Sequence, residues 1–372
     1  MKILITGSEG FVGKNLIVEL KNQGFNEILK YDIDSNPAFL DVYTQECQFV
    51  YHLAGVNRPE NQEDFMKGNF DFTSLLLRKL RKHNNKSPVL ITSSTQAVID
   101  NHYGRSKKAG EDIIFEYGKE TGIPVFVYRL PNVFGKWCRP NYNSAIATFC
   151  NNIAHNLPIQ VNDPNVHMNL IYIDDVISSF INKLNFNNLN TPSLNQYEEV
   201  SPVYSVKLGD IASLIYEFKD SRNNLLISDM ADGFTKKLYS TYLSYLPEND
   251  FFYPLKMNID QRGSFTEFLK TKERGQVSVN VFKPHITKGN HWHHTKNEKF
   301  LVVSGNGVIR FRRIDTHEVL EYYVSGNHLT VVDVPVGCTH NIENLGETDM
   351  VMIIWVNEVF DKENPDTFFE EV

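Results

Sequence analysis

The sequence predicts an α/β domain built on a parallel sheet, followed by an all-β sandwich or barrel. Three observations predict this. The first 245 or so residues alternate short apolar runs with stretches of helical spacing, the signature of strand–helix–strand units. From Pro254 onward the runs are short, β-branched or aromatic, and separated by glycine turns, the pattern of an all-β domain. Between them, Pro247, Glu248, Asn249 and Asp250 interrupt both rhythms. The expected division is therefore 1–245, a linker at 246–253, and 254–372. A chain of 372 residues is long enough for two domains of ordinary size, at about 100–200 residues each.

Taken in order, Lys2–Thr6 reads as a strand. Gly13–Asn22 has helical spacing through Leu16, Ile17 and Leu20 and is closed by Gly24. Ile28–Asp32, Phe49–Leu53 and Val89–Thr92 read as further parallel strands. Phe65–Lys82 reads as a helix through Phe72, Leu75, Leu76 and Leu80. Tyr103–Thr121 is another, ended by Gly122, and Pro124–Arg129 is the strand after it. In the second half the expected strands are Val277–Lys283, Lys299–Val303, Gly307–Arg312, Glu318–Val324, Leu329–Val334 and Met350–Asn357.

Composition narrows the function classes. Apolar residues make up 41% and charged residues 22%, ordinary for a globular chain, so wholesale disorder is excluded. The net charge of −8 argues against nucleic acid or an anionic membrane as the main partner. Apolar runs such as Ile3–Ile5 and Val351–Val356 fall far short of the ~20 residues of a membrane span. The opening MKILITGSEG turns glycine-rich too soon for a signal-peptide core. Cys47, Cys138, Cys150 and Cys338 form no CxxC pair, so a reducing, cytoplasmic setting is expected.

Two constellations in the first half carry chemistry. Gly7-Ser8-Glu9-Gly10-Phe11-Val12-Gly13 is GxxGxxG directly after a strand and opening a helix. Glycines there allow a tight turn and close backbone approach, so amides and the helix N-terminus can face a pyrophosphate. Asp32 ends the second strand, where an acidic group meets a ribose diol. Tyr103 and Lys107 form YxxxK, one turn apart on one helix face. An ammonium beside a phenol stabilises tyrosinate, so Lys107 is expected to lower the Tyr103 pKa from about 10. Tyr103 then suits proton donation to a carbonyl oxygen as hydride reaches its carbon, and Ser94, closing an upstream strand, can bond the same oxygen.

The second half carries His291, His293 and Glu298, with His340 some forty residues on. In a strand His291 and His293 share a face, because side chains alternate. Three imidazoles and one carboxylate with open positions suit Zn²⁺, Fe²⁺, Mn²⁺ or Ni²⁺; Zn²⁺ is the expected ion.

The first half resembles the extended short-chain dehydrogenase/reductase family, in particular its nucleotide-sugar members. Besides the glycine loop and YxxxK, the resemblance rests on His52-Leu53-Ala54-Gly55, Arg129-Leu130-Pro131-Asn132-Val133-Phe134-Gly135 and Tyr172-Ile173-Asp174-Asp175-Val176. It implies a Rossmann-like doubly wound sheet with Ser94, Tyr103 and Lys107 as catalytic triad. Gly7, Gly10, Phe11, Val12, Gly13, Asp32, Leu53 and Ala54, together with Tyr103 and Lys107, would hold the cofactor. Ser94, Asn132 and Arg139 would lie by the substrate. The chain departs from the family in the short span between Ser94 and Tyr103, and in Met168-Asn169, where a basic residue usually stands.

The second half resembles the cupin superfamily through HxHx4Ex6G, ending at Gly305, and PxGx2Hx3N, over Pro335–Asn344. That resemblance implies a double-stranded jelly roll and a homodimer formed through this domain. The pairing resembles bifunctional capsular-polysaccharide enzymes acting on UDP-linked 2-acetamido-6-deoxy-4-keto-hexoses. In these the cupin inverts C3 and the reductase then reduces C4 with NADPH, yielding a UDP-N-acetyl-6-deoxy-talose precursor of N-acetyl-L-fucosamine. Asp32 would repel a 2′-phosphate and favours NADH, whereas the resemblance implies NADPH, the expected cofactor. His294, Lys296 and Tyr322-Tyr323 are the candidates for the C3 base. The rival reading keeps the reductase alone active and makes the zinc cupin a structural dimerisation module.

Overall fold

The structure, a computed structural model, describes residues 1–188 and 196–372. Its contacts divide the chain into two compact units. One comprises 1–215 and 236–247, the other 216–235 and 248–372.

Among the described residues of the first unit, the strands are β1 (Ile3–Thr6), β2 (Ile28–Tyr31), β3 (Phe49–His52), β4 (Val89–Ser94), β5 (Val125–Leu130), β6 (Asn132–Phe134), β7 (His167–Tyr172), β8 (Tyr197–Glu198) and β9 (Tyr204–Lys207). Six of them form a wholly parallel sheet in the order β2-β1-β3-β4-β5-β8. The helices among them are α1 (Phe11–Asn22), α2 (Pro37–Glu46), α3 (Asp64–Met66), α4 (Phe72–Lys82), α5 (His102–Thr121), α6 (Ala145–Ala154) and α7 (Ile173–Asn182), while α8 (Leu208–Asn224) only begins in this unit and α9 (Gly233–Leu243) only ends in it. Both faces of the sheet are covered, so its strands are apolar on both sides. Ile3, Ile5, Phe49, Tyr51 and Tyr128 pack with Leu16 and Leu20 of α1 and with Val176 and Phe180 of α7. Their neighbours Leu4, Val50, Ile91 and Val127 pack with Leu76 and Leu80 of α4 and with Ile114 and Tyr117 of α5. This is the doubly wound sheet expected. The strand order reverses between β1 and β3, and such a switch point leaves a crevice beyond the strand ends where ligands bind.

One expected helix is split. Phe65–Lys82 consists of the short α3, a π-helical turn at Lys67–Asp71, and α4. In the π turn, Asn69 accepts from the Val56 amide at 3.0 Å and donates to the Val56 carbonyl and to Ser106 Oγ, both at 3.0 Å. By contrast α5 matches its reading within one residue: the Asn101 side chain caps it through the Gly104 amide, and Gly122 ends it in the left-handed region.

The second unit holds two antiparallel sheets. Their strands are β10 (Met257–Asp260), β11 (Gly263–Thr271), β12 (Gly275–Phe282), β13 (Thr287–Trp292), β14 (Glu298–Ser304), β15 (Asn306–Arg313), β16 (Val319–Ser325), β17 (Val331–Val334), β18 (Cys338–Asn344), β19 (Met350–Val356) and β20 (Phe368–Phe369). The orders are β10-β11-β12-β19-β14-β17 and β16-β15-β18-β13-β20. Phe282, Phe300, Met352 and Ile354 from one sheet share a buried cluster with Ile309, Phe311 and Ile342 from the other, which makes a jelly-roll sandwich. Five strands, β10, β11, β13, β18 and β20, have no counterpart among the expected ranges, although His291 and His293 were expected to share a strand face. Residues 216–235, expected in the first domain, belong here. Main-chain bonds of 2.8 Å join Ile227 to Lys270 and Lys270 to Leu225, tying the segment to β11. Among the described residues no helix is long and apolar enough to cross a membrane.

Candidate active site and metal centre

In the first unit the glycine loop leaves β1 and turns into α1. Gly7 has φ +71°, and a Cβ there would lie 2.7 Å from the Ala54 nitrogen; one on Gly13 would lie 2.2 Å from the Gly7 carbonyl oxygen. Only glycine fits either place. Phe11 and Val12 open α1 and pack on the core below. Leu53 and Ala54 follow β3, with the Leu53 amide bonded to the Thr6 carbonyl at 3.1 Å. Asp32, just after β2, accepts from the Glu9 and Ile33 amides, both at 2.8 Å, which ties the end of β2 to the loop. Beneath, the buried His52 ring lies between Thr6 Oγ1 at 2.7 Å and Thr73 Oγ1 at 2.8 Å. Burial, helped by Lys107, holds its pKa down to about 3, so the ring stays neutral.

The structure brings Ser94, Tyr103 and Lys107 together. Ser94 Oγ accepts from the Gln96 amide at 3.1 Å and bonds the Tyr103 hydroxyl. The Lys107 ammonium lies 5.9 Å from the centre of the Tyr103 ring and donates to the Thr92 carbonyl at 3.4 Å. Burial lowers the Lys107 pKa to about 8, against the pull of Glu111. The expected lowering of Tyr103 is not what the site produces. Burial raises the phenol above its ordinary value and outweighs the bond from Ser94, so Tyr103 is held protonated. The remaining expected residues have local partners: Asn132 is exposed and donates to the Asn169 carbonyl at 3.3 Å, and Arg139 is exposed with its guanidinium 5.1 Å from the Tyr142 ring.

Sequence reasoning missed Glu111. One turn beyond Lys107 and fully buried, it receives Ser93 Oγ at 2.6 Å, Arg129 Nε at 2.8 Å, Arg129 Nη2 at 2.6 Å and the Tyr197 hydroxyl at 3.0 Å. Its helical spacing from Lys107 was visible, but its partners sit on other strands, which spacing does not reveal.

In the second unit, His291 ends up opposite His340 in the β13–β18 pairing, with a bulge between Gly289 and His291. His293 follows β13 and Glu298 opens β14. One ligand atom from each of His291, His293, Glu298 and His340 lies within 4.8 Å of the others. Glu298 Oε2 is 3.2 Å from His340 Nε2 and 3.5 Å from His293 Nε2. These three buried atoms have no hydrogen-bond partner. Buried polar atoms are rarely left so, and three of them converging with an imidazole are the donor set a divalent cation requires. Burial works to raise the Glu298 carboxyl, but the two imidazoles outweigh it and bring it down to about 2. Burial, then His340 and His293, hold His291 down to about 4, so its nitrogen is free to ligate.

The candidates for the C3 base differ in their surroundings. The Lys296 ammonium is buried and bonded to the Pro365 carbonyl and, at 3.3 Å, to Thr367 Oγ1. His294 is exposed between Trp292 and Phe368. Tyr322 and Tyr323 are exposed on β16.

The sequence pattern of the NAD dependent epimerase/dehydratase family matches residues 3–190. The chain belongs to this family. Residues 258–368 match the polysaccharide biosynthesis C-terminal domain, a second module after the first. Among relatives, the chain is 45% identical to the UDP-2-acetamido-2,6-beta-L-arabino-hexul-4-ose reductase of Pseudomonas aeruginosa, over 99% of this chain and 98% of that one. Among solved structures it is similar to the capsular polysaccharide assembling protein CapF of Staphylococcus aureus. The TM-score is 0.93 and the identity 53%, with all of both chains covered. The UDP-glucuronic acid 4-epimerase of Bacillus cereus, 18% identical with a TM-score of 0.55 over 66% of this chain and 99% of that one, shares the fold of this family.

Proposed function

We propose that this family member is a bifunctional nucleotide-sugar enzyme of capsular polysaccharide biosynthesis. Its substrate is a UDP-2-acetamido-2,6-dideoxy-4-keto-hexose. The cupin unit inverts C3, and the reductase unit then reduces the C4 ketone to give UDP-N-acetyl-6-deoxy-L-talosamine, on the route to UDP-N-acetyl-L-fucosamine. The observation that carries this reading is that one chain brings Tyr103 and Lys107 together beside Ser94 and also holds an unpaired quartet of three histidines and a carboxylate. The reductase from Pseudomonas aeruginosa, matched end to end, supports the reductive half, and the match to CapF supports the capsular setting.

The order of the steps follows from chemistry. The C3 proton is acidic only while C4 is a carbonyl, since the ketone delocalises the carbanion as an enolate. Reduction removes that acidity, so inversion precedes reduction and reduction commits the product.

Gly7, Gly10, Phe11, Val12, Gly13, Leu53 and Ala54 would hold the dinucleotide, with amides of the loop and of α1 facing its pyrophosphate. NADPH, when bound, supplies hydride to C4. Tyr103 donates its proton to O4, Ser94 bonds the same oxygen, and Lys107 places positive charge beside the tyrosinate left behind. Asn132 and Arg139 would meet the nucleotide diphosphate sugar. The Asp32 carboxylate accepts one amide on each oxygen and keeps acceptor positions for a ribose hydroxyl, which by itself favours NADH; NADPH is proposed on the resemblance to the nucleotide-sugar reductases. His291, His293, Glu298 and His340 would hold one divalent cation, proposed to be Zn²⁺ among the ions this donor set suits. Such an ion supplies Lewis-acid polarisation of a carbonyl oxygen.

A homodimer through the cupin unit is part of this reading. Leu320 and Tyr323 on the edge strand β16, and Leu329 and Val331 beside or on the edge strand β17, are at least half exposed. Light scattering of the purified chain is expected to give twice the monomer mass; a monomer would remove the dimer from the account.

The test is NMR of the products formed from a UDP-4-keto-6-deoxy-HexNAc with and without NADPH. The expected result is the C3-inverted alcohol with reductant, and exchange at C3 without it. An alcohol that keeps its original C3 configuration would leave a reductase alone, the reading that the similarity to the Pseudomonas reductase favours.

A further inference from the structure

We infer that Asp366, in the carboxyl-terminal tail, is the positioning residue of the metal centre. This rests on reading the quartet as a metal site. Two of the four ligands, His293 and Glu298, are separated by the loop 294–297, which belongs to no strand. Such a loop would have to be ordered each time an ion bound, at a cost in chain entropy. In this chain its amides are already taken. The Asp366 carboxylate accepts from the His294 amide through Oδ1 at 3.0 Å. Through Oδ2 it accepts from the Thr295 amide at 2.9 Å, the Lys296 amide at 2.9 Å and Thr295 Oγ1 at 3.1 Å. Asn357 Oδ1 takes the fourth amide, that of Asn297, at 2.9 Å. Every main-chain N–H between the two ligands is therefore held by a side-chain oxygen, three of them by one carboxylate.

The same residue also sets a ligand directly. The main-chain carbonyl of Asp366 lies 2.6 Å from His293 Nδ1. A carbonyl only accepts, so Nδ1 carries the proton and Nε2 presents its lone pair towards Glu298 and His340. Asp366 serves both ends of this arrangement because its φ is +40°, in the left-handed region that aspartate tolerates better than most residues. The tail that carries it is itself fixed. β20 pairs with β13, placing Phe369 opposite His291, and Arg312 donates to Glu370 at 3.0 Å and to the Glu371 carbonyl at 2.6 Å.

The experiment is a Zn²⁺ titration of the metal-stripped full chain against a chromogenic chelator, with the Co²⁺ absorption spectrum as a readout of ligand geometry. Asp366→Gly removes the carboxylate and permits the same backbone angle; Asp366→Asn keeps one acceptor oxygen and loses the other. Zn²⁺ affinity should fall about 10–100-fold in Asp366→Gly, by less in Asp366→Asn, with an altered Co²⁺ spectrum in both. Lys362→Ala, in the same tail, should bind as the wild type does. If Asp366→Gly does not fold, Asp366→Asn is decided by the same two readouts. Wild-type affinity with an unchanged spectrum in the variants would overturn the role of Asp366 alone. A wild-type chain that takes up no Zn²⁺ would overturn the metal reading and this role with it.

Discussion

Tyr103 and Lys107 are both shifted against their charged forms by burial, and the two shifts suit different tasks. A phenol held above its ordinary pKa is reliably protonated and can give its proton to a ketone. Tyr103→Phe should lower the rate of NADPH oxidation by about 10²–10⁴-fold, the usual worth of a positioned acid, with the cofactor still bound by fluorescence titration. Lys107, with a pKa brought down to about 8, stays charged at neutral pH and loses its proton just above it. The reductase rate should therefore fall as pH rises through about 8, a limb that Lys107→Arg, if active, should lack. For stability the sign is opposite. The native state binds its Lys107 proton less tightly than the unfolded chain does. That penalty is present in full below about 8 and is relieved as pH rises towards the ordinary lysine value. A denaturation series across this range in Lys107→Met should lack that rise.

The helix α5 shows what an element can and cannot disclose in sequence. Tyr103, Lys107 and Glu111 follow at intervals of one turn, and the cap, the closing glycine and the YxxxK face were all legible because each is local. Glu111 was not, since its meaning comes from Arg129, Ser93 and Tyr197 on strands far along the chain. Removing it should be costly. Glu111→Ala leaves Arg129 short of its buried partner, at about 3–5 kcal/mol in urea unfolding. A loss below about 1 kcal/mol, the range of a surface pair, would contradict the packing described. The glycine loop was likewise readable because steric demand is a local property, whereas the π turn at Lys67–Asp71 was not. Its cause, the bonds from Asn69 to Val56 and Ser106, is tertiary. In the second unit the ligands were found by motif, but the ranges of β10, β11, β13, β18 and β20 were missed. β10 is exposed along its length and β20 has only two residues, so neither carries the apolar alternation by which strands are recognised. Asp366, whose importance comes from the loop it bonds, left no mark in the sequence at all.

At the scale of the whole molecule, the two proposed chemistries belong to separate units of one chain. The jelly-roll unit has its own buried apolar cluster, from Phe282 to Val356, so removal of the ion is expected to leave it folded. A chelator should abolish proton exchange at C3 while reduction of a pre-inverted 4-keto substrate continues; loss of both together with unfolding would point to a structural ion. The most direct measurement follows solvent deuterium into C3 of the UDP-4-keto sugar by NMR, beside NADPH oxidation, in Tyr103→Phe and His291→Ala. The account predicts exchange without oxidation in the first. In the second, given the pre-inverted ketone, it predicts oxidation without exchange. If either substitution abolished both activities in a folded protein, the assignment of inversion and reduction to separate units would be contradicted.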